Sequence, residues 1–231
     1  MFKKTDELLL RDLKVKINKC PKCHGTNLAC TCYQAYYHAL AVIKANIPAK
    51  YRDFTLSDID QPESQKSVKK VTQYMDRLQN NRKKGIGLYL YGNPGTAKTV
   101  LGCIVMMNSL RRKYTCYFTN ADHYLELSVT KKDEPEAREI VKYLSNVDFL
   151  MIDDLGREYR DKGGFVEAHL DELIRYRADN LLPTLITTNK PQTELAQNNY
   201  RLLSLFHEHF LTIPFTTKDY RPRIGAKLKN A

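Results

Sequence analysis

The chain has no stretch approaching the ~20 uninterrupted apolar residues that a membrane-spanning helix needs. Its start, Met1-Phe2-Lys3-Lys4-Thr5-Asp6-Glu7, lacks the apolar core of a secretory signal. Both absences point to a cytoplasmic protein without a membrane partner. Internal repeats and low-complexity tracts are also missing, which sets aside repeat architectures. Acid is the scarcer charge: 26 Asp and Glu stand against 37 Lys and Arg, a net charge of +11. A surface of that sign attracts phosphates, which makes nucleic acid the leading partner, although the charge is spread along the chain and not gathered in one tract.

Cysteine is sparse but clustered. Four of the six, Cys20, Cys23, Cys30 and Cys32, fall together, while Cys103 and Cys116 sit in apolar runs as ordinary buried thiols. In a cytosolic chain such a cluster argues for metal and not for disulfides. The Cys20-Pro21-Lys22-Cys23-His24-Gly25 turn has zinc-knuckle composition, and four thiolates suit tetrahedral Zn²⁺. Only one residue separates Cys30 from Cys32, tighter than common zinc pairs, so His24 is an alternative ligand. A redox dithiol is the competing reading.

The remaining chain length, with 42% apolar residues, suits one α/β domain beside this small unit. We divide it into residues 1–47 (a zinc-binding unit), 48–66 (an extended connector opened by Pro48) and 67–231. Helices are expected at Tyr33–Ala45, Ser67–Asn80, Val100–Lys113, Ala121–Val129, Glu136–Ser145, Val166–Asn180 and Thr193–Phe206. Leu8, Leu9, Leu10, Leu13 and Ile17 are expected on one face of a first helix. Strands are expected at Ile86–Tyr91, Thr115–Thr119, Val147–Ile152, Leu185–Thr188 and Phe210–Phe215. Strands alternating with helices imply a parallel sheet covered on both faces.

The first strand runs into Gly92-Asn93-Pro94-Gly95-Thr96-Ala97-Lys98-Thr99, and a helix follows. Strand, Gly-rich loop, then Lys-Thr at a helix start is the context of a nucleoside-triphosphate site. Loop N–H groups face the phosphates, Lys98 reaches the β/γ oxygens, and the Thr99 hydroxyl binds Mg²⁺. Ala97 departs from the pattern: glycine usually stands before the Lys, and a methyl there crowds the backbone if φ is positive. A second motif, Phe149 to Asp154, is an apolar strand ending in two carboxylates. Asp153 is the Mg²⁺ partner and Asp154 orients or deprotonates the attacking water. Asn189, after Thr187-Thr188 at another strand end, is placed to hold the water or γ-phosphate.

In this order the motifs resemble the bacterial and phage helicase loaders of the DnaC/DnaI type, AAA+ P-loop ATPases related to the IstB transposition helper. The segment Ile47 to Phe54, the phosphate loop, Asp153-Asp154-Leu155-Gly156-Arg157-Glu158, Thr188-Asn189 and Lys218-Asp219-Tyr220-Arg221 carry the resemblance. The N-terminal Cys₄ unit is similar to that of the DnaI branch. The resemblance implies an ATPase using ATP/ADP, Mg²⁺ and Zn²⁺. Its zinc unit would grip a replicative hexameric helicase, and its AAA+ domain would self-associate and deliver the helicase onto single-stranded DNA. Arg221 would be a second sensor, and Arg157, Arg160 and Lys162 candidate DNA contacts. Leu205 falls where the family carries an Arg that reaches a neighbouring subunit's γ-phosphate; Arg201, one turn earlier, is the candidate substitute. If none serves, the chain is a nucleotide-responsive adaptor with little turnover. A transposition helper ATPase is the remaining alternative.

Overall fold

The computed structural model describes residues 4–59, 64–156, 165–195, 200–216 and 219–220. The polypeptide separates into two compact units, Met1–Ile47 and Pro48–Ala231.

The first unit holds two helices, α1 (Lys4–Asn18) and α2 (Thr31–Lys44), joined through the cysteine turns. Its buried set is small: Leu10 and Ile17 of α1, Val42 and Ile43 of α2, Ala45, Ile47, and the first two cysteines of the cluster. Leu10 and Ile17 are seven apart and so share one face. Leu8 and Leu9 do not share it; each is 42% exposed, which corrects the expectation of a single Leu face. A core this small is marginal on its own, and a structural metal is the usual remedy.

The second unit begins with two short 3₁₀ turns, Ala49–Tyr51 and Leu56–Asp58, not with an extended connector. The Thr55 N–H donates to Asp58 Oδ2 at 2.7 Å and closes the second turn. Phe54 and Ile59 are buried, which the turns permit and a straight strand would not. Then follow α3 (Gln65–Asp76), α4 (Leu78–Lys83), β1 (Gly87–Gly92), α5 (Lys98–Arg111), β2 (Cys116–Asn120), α6 (Ala121–Leu125), α7 (Pro135–Asn146), β3 (Phe149–Leu155), α8 (Phe165–Asp179), β4 (Thr184–Thr188), α9 (Gln192–Leu195), α10 (Tyr200–His209) and β5 (Phe210–Phe215).

The five strands form one sheet in the order β2-β3-β4-β1-β5. Every pairing is parallel, as expected. Alternation along the strands splits the core into two layers. Tyr89, Leu150, Ile152 and Ile186 pack with α6, α7, α8 and α10 residues on one face. On the other, Met151 lies against Gly102 of α5, where an added Cβ would meet its thioether at 2.5 Å.

Three expected helices come out differently. Ser67–Asn80 is two helices, because the chain breaks at Arg77, the C-cap of α3, whose φ/ψ of −95°/16° has left the helical region. Ala121–Val129 is α6 followed by a π-helical turn, Glu126–Thr130. Thr193–Phe206 is split between α9 and α10, with the joining residues 196–199 outside the described set. The third strand runs on to Leu155, so both carboxylates belong to it. Among the described residues no helix is long and apolar enough to cross a membrane.

Candidate nucleotide and metal sites

The C-terminal ends of β1, β3 and β4 lie side by side, because β4 pairs with both of the others. In an open parallel sheet that edge is where ligands bind. β1 delivers the loop Gly92 to Ala97, and α5, a 14-residue helix starting at Lys98, carries the N-terminal N–H groups that attract anions. The loop needs glycine at two points. Gly92 has φ 130°, and a Cβ there would collide with the Phe215 carbonyl of β5. Gly95 has φ 78°, and a Cβ would strike the Asp219 carboxylate. Ala97 also adopts the left-handed region, φ 65° and ψ 16°, as the N-cap of α5. The crowding expected of its methyl is therefore real: the residue occupies a conformation that glycine takes without cost.

Lys98 is buried, and its ammonium folds back over the loop. Nζ donates to the carbonyls of Gly92 at 2.9 Å and Asn93 at 2.7 Å, and to Asn189 Oδ1 at 3.1 Å. The Thr99 hydroxyl donates to Asp153 Oδ1 at 2.8 Å. Thr187 Oγ1 donates to the same oxygen and accepts from the Asp154 N–H at 2.9 Å. Asp154 has φ 59°, and the β3–β4 register shifts between Ile152 and Leu155. This irregularity turns the second carboxylate out of the strand alternation; both carboxylates end at the same edge, half-buried. Burial raises the Asp153 pKa above its ordinary value, against the two hydroxyl donors that lower it.

The donor set fits a magnesium–nucleotide. An oxygen pair from Thr99 and Asp153 suits a hard divalent cation. A lysine ammonium over glycine-permitted turns suits the phosphates. Lys98, Thr99, Asp153, Asp154 and Asn189 are thus brought together. Arg201 is exposed on α10 and forms no hydrogen bond or ion pair with this cluster among the described residues. Leu205 points into the core beside the fully buried Phe206. Arg221, the candidate second sensor, lies outside the described residues, as do Arg157, Arg160, Lys162 and Lys218. Two residues named within the motifs without a role of their own acquire one in the structure. Thr187 links the acidic pair to β4, and its only sequence signal is a hydroxyl near a strand end. Tyr220, buried at 4% exposure, donates its N–H to the Gly95 carbonyl at 2.7 Å, tying the C-terminal segment to the phosphate loop.

In the first unit the sulfurs of Cys20, Cys23, Cys30 and Cys32 all lie within 4.8 Å of one another. The Cys20–Cys30 pair is 3.8 Å apart and the Cys23–Cys32 pair 3.5 Å. A tetrahedron of Zn–S bonds of about 2.3 Å has edges of about 3.8 Å, close to the two pair distances, so the cluster is compatible with zinc. The narrow Cys30–Cys32 spacing is accommodated because α2 starts at Thr31, between them. The group comprises the four cysteines and not His24, which takes φ 46° in the turn before Gly25. The main-chain N–H of Lys22 lowers the Cys20 pKa, and that of Cys32 lowers Cys30 to about 6. Burial, with the neighbouring sulfurs, pushes Cys32 up to about 12, as happens when four thiols compete for the same protons.

The family model for IstB-like ATP binding protein matches residues 39–199. The replicative helicase loader DnaC of Escherichia coli K12 is 25% identical over 166 residues, covering 70% of this chain and 65% of the relative. The replicative helicase loader DnaI of Bacillus subtilis is 24% identical over 142 residues, covering 62% of this chain and 45% of the relative. The chain thus spans less than two thirds of the length of either. The crystal structure of the DnaC helicase loader superimposes with a TM-score of 0.64 at 22% identity, over 73% of this chain and 100% of that one. These likenesses bear out the resemblance carried by the motifs and, with the parallel sheet, the expected AAA+ fold.

Proposed function

The chain belongs to the family of IstB-like ATP-binding proteins, and on that premise we propose that it is an ATP-dependent loader of a replicative DNA helicase. The observation that carries the nucleotide part is the convergence of Lys98, Asn189, Thr99 and Asp153 at one sheet edge. In this reading the loop and Lys98 hold the β- and γ-phosphates, and Thr99 and Asp153 hold Mg²⁺. Mg²⁺ held there would neutralise charge developing on the transferred phosphoryl group. Asp154 orients or deprotonates the attacking water. Asn189, now engaged by Lys98, is released to the γ-phosphate when the lysine turns to the nucleotide.

The first unit is the helicase-binding part, held by zinc on the four cysteines. Five of the nine large hydrophobics exposed among the described residues, Leu8, Leu9, Val15, Leu28 and Tyr37, belong to it. In this reading these exposed side chains form the surface offered to the helicase. Residues 48–66 lead into the ATPase part, which self-associates and contacts single-stranded DNA through its basic surface, in the cytoplasm. The chain's likeness to loaders named DnaC and DnaI supports the helicase as partner.

The test is a pull-down of the purified chain against the host's replicative hexameric helicase, with and without ATP, for wild type and Lys98→Ala. Nucleotide-dependent retention lost in the variant is expected. Equal retention of both, with no ATP or ADP uptake by calorimetry, ends the proposal. A second reading, an adaptor with little turnover, is favoured by the burial of Leu205, because no cation can project from that position to a neighbouring subunit. ATP-dependent helicase binding with no phosphate release above that of Asp154→Asn selects it.

A further inference from the structure

On the sheet face that carries α6, α7 and α8, away from the phosphate-loop helix, a cleft of about 410 Å³ opens between α7, α8 and the π-helical turn. Two helical stripes face each other across it. Arg138, Val141, Lys142 and Ser145 come from α7, and His169, Glu172, Leu173 and Tyr176 from α8. Each set has the spacing i, i+3, i+4, i+7, which puts its members on one side of a helix. The ends are bounded. At one end the π turn supplies Leu127 and Ser128; at the other, the Tyr176 hydroxyl donates to Asn146 Oδ1 at 2.9 Å and bridges the helices. A span of seven residues corresponds to about two helical turns, or ~10 Å.

The chemistry of the cleft is asymmetric. Its floor is apolar, with Leu127, Leu173 and the Tyr124 ring buried and Val141 half-buried. Its α7 side is cationic: Arg138, Lys142 and Lys132 are all exposed at the rim. Its α8 side carries Glu172. The Ser128 hydroxyl is buried beside that of Tyr124. π-turns are rare and gather at functional sites, because they cost hydrogen-bond regularity.

We propose that this cleft is a docking groove for an acidic amphipathic segment of a partner protein, about two helical turns long. Aliphatic anchors fill the Leu127–Val141–Leu173 floor, and carboxylates lie along the α7 rim. This is the helix-in-groove mode, with charge complementarity setting orientation and on-rate. A polynucleotide is the less favoured occupant: bases stack on aromatic faces, and of the two tyrosines lining the cleft Tyr124 is buried and Tyr176 is tied to Asn146. The proposal shares no residue with the nucleotide site and stands whether or not ATP is turned over.

A random dodecapeptide phage library panned on the full-length chain tests it, with an Arg138→Glu/Lys142→Glu double variant as counter-target. Both positions are exposed, so the variant is expected to fold, which circular dichroism checks. Enriched peptides are expected to carry spaced Leu, Ile or Phe flanked by Asp and Glu. Synthetic copies should lose at least tenfold in affinity for the double variant and regain it when their own acids are changed to Lys. Peptides without acids, or peptides bound equally by both forms, overturn the proposal. So does a library that yields no binder while oligo-dT loses affinity for the variant, which assigns the rim to nucleic acid.

Discussion

Arg177 offers the sharpest test of how this fold is held. It is fully buried on α8, and its guanidinium makes four hydrogen bonds. Nε donates to Thr184 Oγ1 at 3.0 Å and Nη2 to the Pro183 carbonyl at 2.8 Å. Nη1 donates to the carbonyls of Leu144 and Ser145 at 3.1 and 3.0 Å. Those two carbonyls belong to the last turn of α7, where helical partners run out. The N–H groups that would continue the ladder, on Asp148 and Phe149, donate to Thr115 instead. Burial lowers the Arg177 pKa to about 9, which leaves it cationic at neutral pH and favourably placed at a helix C-terminus. Pro183 keeps a second partner in the Leu150 N–H, so Arg177→Met orphans chiefly the Leu144 and Ser145 carbonyls. At about 1–3 kcal/mol for each unsatisfied buried acceptor, less the desolvation regained with the lost charge, the expected destabilisation is about 2–4 kcal/mol. Urea unfolding at pH 7, followed by far-UV circular dichroism, should show the midpoint falling by roughly 1–2 M with unchanged slope. Arg177→Lys, which can reach only part of the acceptor set, should fall between. A loss below about 1 kcal/mol refutes the reasoning, because it would mean water or relaxation satisfies both carbonyls.

Other outcomes can be stated more briefly. Ala97→Gly relieves a left-handed backbone costing about 1–2 kcal/mol, offset by about 0.4–1 kcal/mol of unfolded-chain entropy. A melting temperature up to about 2–4 °C higher is expected, and a fall of that size would show that the buried methyl outweighs the strain. Asp153 has a raised pKa in the folded chain, so its stabilising contribution is complete below the unfolded value of about 4 and is lost as pH rises through the folded value. Asp153→Asn should therefore gain stability over wild type across that window while losing Mg²⁺-dependent nucleotide binding. A variant less stable than wild type throughout would show that the Thr99 and Thr187 bonds outweigh desolvation. Metal analysis of the purified chain should find about one zinc per chain, absent from Cys23→Ser, with chelation melting the first unit. Full metal occupancy in that variant would remove Cys23 from the ligand set.

Much of this molecule is legible in the one-dimensional pattern. The five strands lie close to their expected places; β1, β3 and β4 are buried apolar runs inside the sheet, while the edge strand β5 still shows through its buried Ile213 and Phe215. The loop Gly92 to Thr99, the carboxylates Asp153 and Asp154, and Asn189 are all adjacent to those strands, so finding the strands put these candidate residues at one sheet edge. The cysteine spacing likewise anticipated a cluster. Tertiary structure decided what depends on partners distant in sequence. Only the β3–β4 pairing brings Thr187 to Asp153, only the packing of α10 turns Leu205 inward, and only the convergence of four sulfurs chooses Cys30 and Cys32 over His24. The break at Arg77 and the π turn at Glu126–Thr130 were hidden for the same reason: helical periodicity survives a local change of winding, and the position where the ladder gives way depends on what the helix packs against.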